Sequence, residues 1–386
     1  MSGVGPAALD HEGAIVALDL KGEIFNACNL ERGKKRPQIA LDPFNVLATP
    51  SARFDPFSFL REDNYQRDIG TMADGMIKPL EDKYAWISNG SVDITKAAIE
   101  LVTLETPPDD DNRFQKVVES LLAADRLDRI QKWADKKNIA DGRIAGSASN
   151  LLDLSDGQQG SVLDDTRQNL AWALNPAIAG ILQGNDFSFT DIAEGRIDLY
   201  IVVPPDALRE AAGFLRLVMN LVLGAFLRGG VDIPRQNSLL IFDEFTRLGR
   251  LDKVIDIATI AAGFGVTALF VAQNWDSVKE VYGNAAMTLV GSCATTRVWG
   301  LGAGEITTAK WLSDCLGTAT ARTENKRLKE VSSGETAVPL MQISEILTLP
   351  PDEQIIMFRG HEPARTKRII SHTHPYYRDR MPRRTK

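Results

Sequence analysis

Only three cysteines, Cys28, Cys293 and Cys315, are spread over 386 residues, with no CxxC pair among them. That scarcity excludes a disulfide framework and a cysteine-built zinc site, and it fits a reducing, cytoplasmic setting. His372 and His374 sit in a polar stretch with no further ligand nearby, so no metal is expected there. Long apolar runs are also lacking. The longest, Phe214 to Leu227, is interrupted by Arg216 and Asn220 and falls short of the ~18 residues a bilayer span requires. No transmembrane helix is expected, and the N-terminus has no signal-peptide pattern. Neither a repeat of fixed period nor a low-complexity tract is present.

What remains is an ordinary globular composition, 44% hydrophobic and 25% charged, long enough for one large domain or two smaller ones. The net charge of -7 hides an asymmetry, because the segment Arg359 to Lys386 carries nine Lys or Arg against two acids. That basic tail is the obvious footprint for an anionic partner. Short β-rich apolar runs recur at Ala14 to Asp19, Gln38 to Asp42, Leu199 to Val203, Ser238 to Asp243, Val266 to Gln273, Ala294 to Trp299 and Gln354 to Phe358. Their near-continuous hydrophobicity predicts burial on both faces, as in a parallel sheet. Helical patterns alternate with them, including one expected from an N-cap at Asp206 to about Arg228, stopped by Gly229 and Gly230. The fold class is therefore α/β, with a parallel sheet flanked by helices. Residues 63 to 184 differ. Leu101, Leu104, Val117, Val118, Leu121 and Leu122 recur at helical spacing, Pro107 to Asp111 forms a polar turn, and the region reads as an all-α insertion.

The run Ser238 to Phe242 delivers Asp243 and Glu244 at its carboxyl end, the edge at which open α/β sheets bind ligands. In a nucleoside-triphosphate hydrolase an acid there holds Mg²⁺ through water, and a neighbouring Glu orients or deprotonates the attacking water. Asp243 and Glu244 take those roles in that order; the alternative is a strand ending in two solvated acids. About thirty residues on, a second buried run ends at Gln273, placed to sense a terminal phosphate, or else an ordinary polar strand end.

These blocks carry a resemblance. Leu239 to Leu251, Val271 to Asn274, Thr296 to Val298 and Trp311 to Gly317 resemble the TraG/VirD4 type IV coupling proteins of conjugation and secretion. Ala17 to Glu23, the pairs Asp42-Pro43 and Asp55-Pro56, Tyr200 to Asp206 and Leu349 to Arg359 extend the similarity over almost the whole chain. The resemblance implies a RecA-like P-loop NTPase fold with an inserted all-α domain linked to substrate recognition. It divides the chain into residues 1–62 (first part of the nucleotide-binding domain), 63–184 (all-α insertion), 185–358 (remainder of that domain) and 359–386 (basic tail). It further implies ATP and Mg²⁺ as ligands of the complete protein and a homo-hexameric ring at the cytoplasmic face of the inner membrane. The implied partners are single-stranded DNA with its relaxase, or effector proteins, and a type IV secretion channel.

The sequence departs from that family at its phosphate-binding loop. GxxxxGK[ST] is not found; Gly33-Lys34 is followed by Lys35 and reads as a basic surface loop. Met1 to Gly5 resembles the stretch just after that loop, so Gly3 and Gly5 mark the edge of a nucleotide site. The chain is expected to be truncated there, without the membrane helices that precede the loop in the family. Tight ATP binding and hydrolysis by this chain alone are not expected. The arginine of some members before the second strand is also missing, which leaves Arg297 and Arg250 as candidate trans-acting arginines. In the tail, Arg378, Arg380, Arg383 and Arg384, with Tyr376 and Tyr377, are candidates for nucleic-acid contact; a disordered solubilising tail is the alternative. Two other functions stay open, a non-hydrolysing binding module that keeps the fold and a soluble FtsK-like DNA translocase.

Overall fold

A computed structural model describes residues 3–228, 237–250, 252–327 and 330–381. The chain forms two compact units, a larger one containing Ala7–Asp243 and Ile260–Leu269, and a smaller one containing Met1–Pro6, Glu244–Thr259 and Phe270–Arg383.

The larger unit is built on a five-stranded sheet. Its strands are β1 (Ile15–Leu18), β2 (Gln38–Leu41), β3 (Asp198–Ile201), β4 (Ser238–Phe242) and β5 (Val266–Phe270), in the order β2-β3-β1-β4-β5. The pairs β2/β3, β3/β1 and β1/β4 are parallel. Every residue of β1, β3 and β4 is buried, as their unbroken apolar sequences predict for strands covered on both faces. Helix Glu23–Arg32 carries the chain from β1 to β2, and helix Ala212–Arg228 from β3 to β4. The latter starts six residues after Asp206, which lies instead in a run of turns; Gly229 and Gly230 lie outside the described residues.

Between β2 and β3 the described chain is helical, from Tyr65–Met76 to Phe189–Ala193. Helix Arg113–Leu122 buries Phe114, Val117, Val118 and Leu121, while Leu104 of helix Ala85–Glu105 is exposed, an exception to the expected apolar face. The turn at Pro107 closes with Asp110 N donating to Pro107 O at 3.1 Å. Asp55 fixes the entry to this region. It accepts from Phe57 N at 2.9 Å to cap the 3-10 turn Pro56–Phe59 and pairs with Arg113 at 2.5 Å.

Beneath the amino ends of the strands lies a buried ionic cluster that the sequence did not disclose. Arg32, 1% exposed, donates to Asp198 Oδ2 and Oδ1 at 2.7 and 2.9 Å and to the carbonyls of Ala8, His11 and Gly13 at 2.7 Å each. Asp198 also accepts from Ile15 N at 2.9 Å and Gln38 Nε2 at 2.7 Å.

In the smaller unit, β6 (Thr295–Val298), β9 (Glu353–Phe358) and β10 (Ala364–Lys367) form an antiparallel sheet, and β7 (Thr318–Arg327) pairs with β8 (Glu330–Pro339) as a hairpin. This corrects the expectation that the runs at β6 and β9 join the parallel sheet. An apolar run reports burial, not strand direction, and β6 is only partly buried. Ala309, Leu312, Leu316, Ile346 and Ile355 form a core here. Of the expected tail, residues 364–367 are a strand, not a disordered extension. Its register sets Lys367 opposite Glu353, where Lys367 Nζ lies 3.2 Å from that carboxylate and 2.7 Å from Asp352, and Arg365 pairs with Glu353 at 2.6 Å.

Candidate functional site

The sheet order puts β1 in the centre, with the connection from β1 leading toward β2 on one side and that from β4 toward β5 on the other. A crevice outside the carboxyl ends forms where such connections diverge, and here that point lies between β1 and β4. Leu18 pairs with Phe242, so the next residues, Asp19 and Asp243, reach the same edge in register. A third aspartate, Asp42, follows β2.

Two of these acids are tied to the turns that follow them. Asp19 accepts from Glu23 N and Phe25 N at 2.9 Å each, and Asp42 accepts from Val46 N and Leu47 N at 3.0 and 2.7 Å. The Asp19 turn needs Gly22, whose φ of 66° suits glycine and whose missing Cβ would stand 2.6 Å from Leu47 Cδ2. Asp243 is half-buried beside Asp19. Burial pushes the Asp19 carboxyl up from 3.8 to about 6 against the pull of its amide donors, and the charge of Asp243 adds to the rise. The folded state therefore holds a proton on Asp19 that the unfolded chain has lost between about pH 4 and pH 6, and stability falls as pH rises through that window. The shift corresponds to about 3 kcal/mol. Asp19→Asn, uncharged throughout, is expected to flatten the slope, read as urea midpoints at pH 4.5 and 6.5; an unchanged slope would show that Asp19 is not its source.

Glu244 begins the segment Glu244–Thr259 of the smaller unit. Its φ of 48° and ψ of 41° are left-handed, an uncommon conformation for a residue other than glycine and one that concentrates at functional sites. It precedes the 3-10 turn Phe245–Leu248, and its carboxylate meets Arg247 Nε at 2.6 Å. Phe245 N donates to Val271 O at 3.1 Å, which ties this turn to the segment that carries Gln273. β5 ends at Phe270, so Gln273 is an exposed loop residue before helix Trp275–Tyr282 and not the last residue of a strand.

The remaining candidates lie on several different elements. Arg250 is exposed after the 3-10 turn, and Arg297 is exposed on β6. Gly3 packs against Trp299, whose ring would stand 3.4 Å from a Cβ at that position, and Gly5 lies in helix Val4–Asp10. Arg378 pairs with Asp379 at 2.9 Å, and Arg380 covers the Tyr376 ring at 3.9 Å while Tyr377 is buried. Those two cations have intramolecular partners; Arg383 and Arg384 lie outside the described residues. Sequence reasoning passed over the approach of Asp19 to Asp243, although two buried runs each ending in Asp were a usable signal. It also passed over Arg247, whose contact with Glu244 depends on the turn.

Among the described residues, no helix is long and apolar enough to cross a membrane. Comparison with known proteins agrees with the architecture. VirD4 of Agrobacterium fabrum is 25% identical over 404 aligned positions, covering 99% of this chain and 58% of that protein. VirD4 of Bartonella quintana is 24% identical, covering 96% of this chain and 60% of that protein. The chain thus spans about three fifths of the length of these curated relatives. Among solved structures, the unbound conjugative coupling protein TrwB lacking its N-terminal segment superposes with a TM-score of 0.74 at 18% identity, covering 92% of this chain and 78% of that one. TrwB in complex with ADP and Mg²⁺ gives 0.73 at 18% identity, covering 95% and 81%. The fold is thus the RecA-like one of those neighbours. The model of the type IV secretory system conjugative DNA transfer family matches residues 1–386, and the chain belongs to that family of TraG/VirD4-type coupling proteins.

Proposed function

We propose that the chain is the cytoplasmic portion of a coupling ATPase that delivers relaxase-bound single-stranded DNA, or an effector protein, to a type IV secretion channel, and that by itself, with no GxxxxGK[ST] loop in its sequence, it is hydrolysis-deficient. The observation that carries this reading is the Asp243-Glu244 pair at the end of β4, beside the divergence of the β1 and β4 connections. A carboxylate at that edge fits a hydrated Mg²⁺, a hard cation that takes oxygen donors. Bound with ATP, the ion would neutralise charge developing on the phosphates. Asp243 would hold a water of its shell. Glu244 would orient the attacking water and take its proton. Gln273, on the loop tied to the Glu244 turn, would donate to the terminal phosphate.

Support for nucleotide use comes from TrwB, which has been solved with ADP and Mg²⁺ and with non-hydrolysable ATP and GTP analogues. The helical region at 63–184 is assigned to substrate recognition, and Arg297 or Arg250 to a neighbouring subunit's phosphates in a hexameric ring. A complete coupling protein containing this chain is expected to hydrolyse ATP faster when single-stranded DNA is present. Gln273→Ala should lower that rate about tenfold, the order expected for one lost hydrogen bond to a charged group, with nucleotide affinity retained. No DNA-stimulated hydrolysis in the unaltered protein would overturn the motor reading in favour of a binding module.

A further inference from the structure

The loop that carries Gln273 is anchored to helix Ile306–Leu316 through a hydroxyl and an indole. Gln273 stands exposed two residues before Trp275, which opens helix Trp275–Tyr282. Asn274 caps that helix, its Oδ1 accepting from Ser277 N at 2.8 Å while Ser277 Oγ donates to Asn274 O at 2.9 Å, so the chain enters the helix in one fixed way. Trp275 is buried. As a first helical residue its amide has no partner within the helix, and it donates to the buried Thr308 Oγ1 at 3.1 Å. Its ring stacks on that of Trp311, with centroids 5.0 Å apart and planes 22° from parallel. Trp311 in turn packs against the core formed by Ala309, Leu312, Leu316, Ile346 and Ile355. Its indole N–H is sheltered and meets no acceptor among the described residues, a cost that Leu or Phe would avoid if filling space were all the position required.

We propose that Thr308 and Trp311 are positioning residues for Gln273: they fix Trp275, and through the short backbone between them they fix the side chain that donates to the terminal phosphate. The inference rests on the reading of Gln273 as that donor and adds what places it. A residue in an exposed loop lacks the rigidity that the end of a strand would give it. The hydrogen bond it makes tolerates little error, since ~1 Å of misplacement can cost about 10²-fold in rate. Tying Trp275 to a packed helix supplies the missing rigidity from outside the loop. The hydroxyl fixes the backbone in one direction and the stacked ring resists sliding in the others. Trp311 to Gly317, a block that shares the family resemblance with Val271 to Asn274, thereby acts on the same step as its companion. Every residue of this arrangement lies within the smaller unit.

Two measurements test the assignment. In the chain itself, hydrogen exchange at the Trp275 amide should run about fivefold faster in Thr308→Val than in the unaltered protein, equivalent to ~1 kcal/mol for one hydrogen bond. Thr308→Ser, which keeps the hydroxyl, should restore the slow exchange. In a complete coupling protein containing this chain, Thr308→Val and Trp311→Leu should each lower kcat about threefold with KM for ATP unchanged, less than the loss expected of Gln273→Ala because the glutamine is misplaced and not removed. Thr308→Ser should return kcat toward the original. In a Gln273→Ala background neither substitution should lower kcat further, whereas a residue that only stabilises the fold would act alike in both backgrounds. Unchanged exchange in Thr308→Val, unchanged kcat in both single variants, or equal losses in the two backgrounds overturn the positioning role. If Thr308→Val does not fold, as circular dichroism would show, Trp311→Leu carries the same comparison. Gln273→Ala turning over at the original rate overturns the reading of Gln273 itself, a result separate from any shown by Thr308 or Trp311 variants.

Discussion

Glu244→Gln is expected to lower DNA-stimulated ATP hydrolysis by the complete coupling protein about 10²- to 10⁴-fold, the range that a positioned general base contributes. The substitution preserves shape and removes only the negative charge and the proton acceptor. The left-handed backbone at this position is set by the turn and by the anchored Phe245, not by the carboxylate, so the geometry should survive. Nucleotide binding should therefore persist while phosphate release stops. Asp243→Asn is expected to act differently, by weakening the Mg²⁺-dependent part of nucleotide binding. Steady-state phosphate release measured beside fluorescent-nucleotide binding separates the two. A Glu244→Gln protein that turns over at the original rate would remove Glu244 from the chemistry and leave it a turn residue.

The second large effect concerns stability and lies at the opposite end of the sheet. Arg32→Met should destabilise the larger unit by about 3–5 kcal/mol, the cost of stranding the partner of a buried ion pair. The loss exceeds that of an ordinary salt bridge because the guanidinium also satisfies three carbonyls, of Ala8, His11 and Gly13. Asp198 would keep Ile15 N and Gln38 Nε2, but in a site of 0% exposure its charge would face the more distant Arg36 Nε, at 3.8 Å, in place of the Arg32 guanidinium. Combining Arg32→Met with Asp198→Asn should recover part of the loss, since the amide keeps an acceptor for Ile15 N and removes the charge. Urea midpoints of the single and double variants measure both terms. An Arg32→Met midpoint indistinguishable from the original would mean that the cluster does not hold the first strand in place.

The two sites differ in how far they can be read from residue order. β4 was legible because four consecutive apolar residues, Leu239 to Phe242, followed by two acids admit few arrangements other than a doubly covered strand ending at a polar edge. The helical stretch between β2 and β3 was legible from its period, and the family resemblance agrees with the whole. β10 was not, because Ala364-Arg-Thr-Lys367 has no apolar alternation and a single β-branched residue, Thr366; acids on and just before the adjacent strand hold it, and that neighbour is known only once the chain has folded. The same holds for the nominal nucleic-acid tail, whose Arg365, Lys367 and Arg378 face carboxylates in the structure. Gln273, expected at the end of a buried strand, lies three residues beyond β5, which is itself only partly buried past Val266.

Asp243 and Glu244 were thus fixed as candidates by sequence alone, along with the α/β class and the helical region, since burial pattern and local periodicity depend on near neighbours. Tertiary structure decided what each charge meets. It joined Arg32 to Asp198 across 166 positions, set Asp19 beside Asp243, turned Glu244 onto Arg247 and gave the basic end of the chain its acids. The physical reason is that apolar residues need only be removed from water, which many arrangements achieve, whereas an ion pair needs one particular partner within a few ångströms.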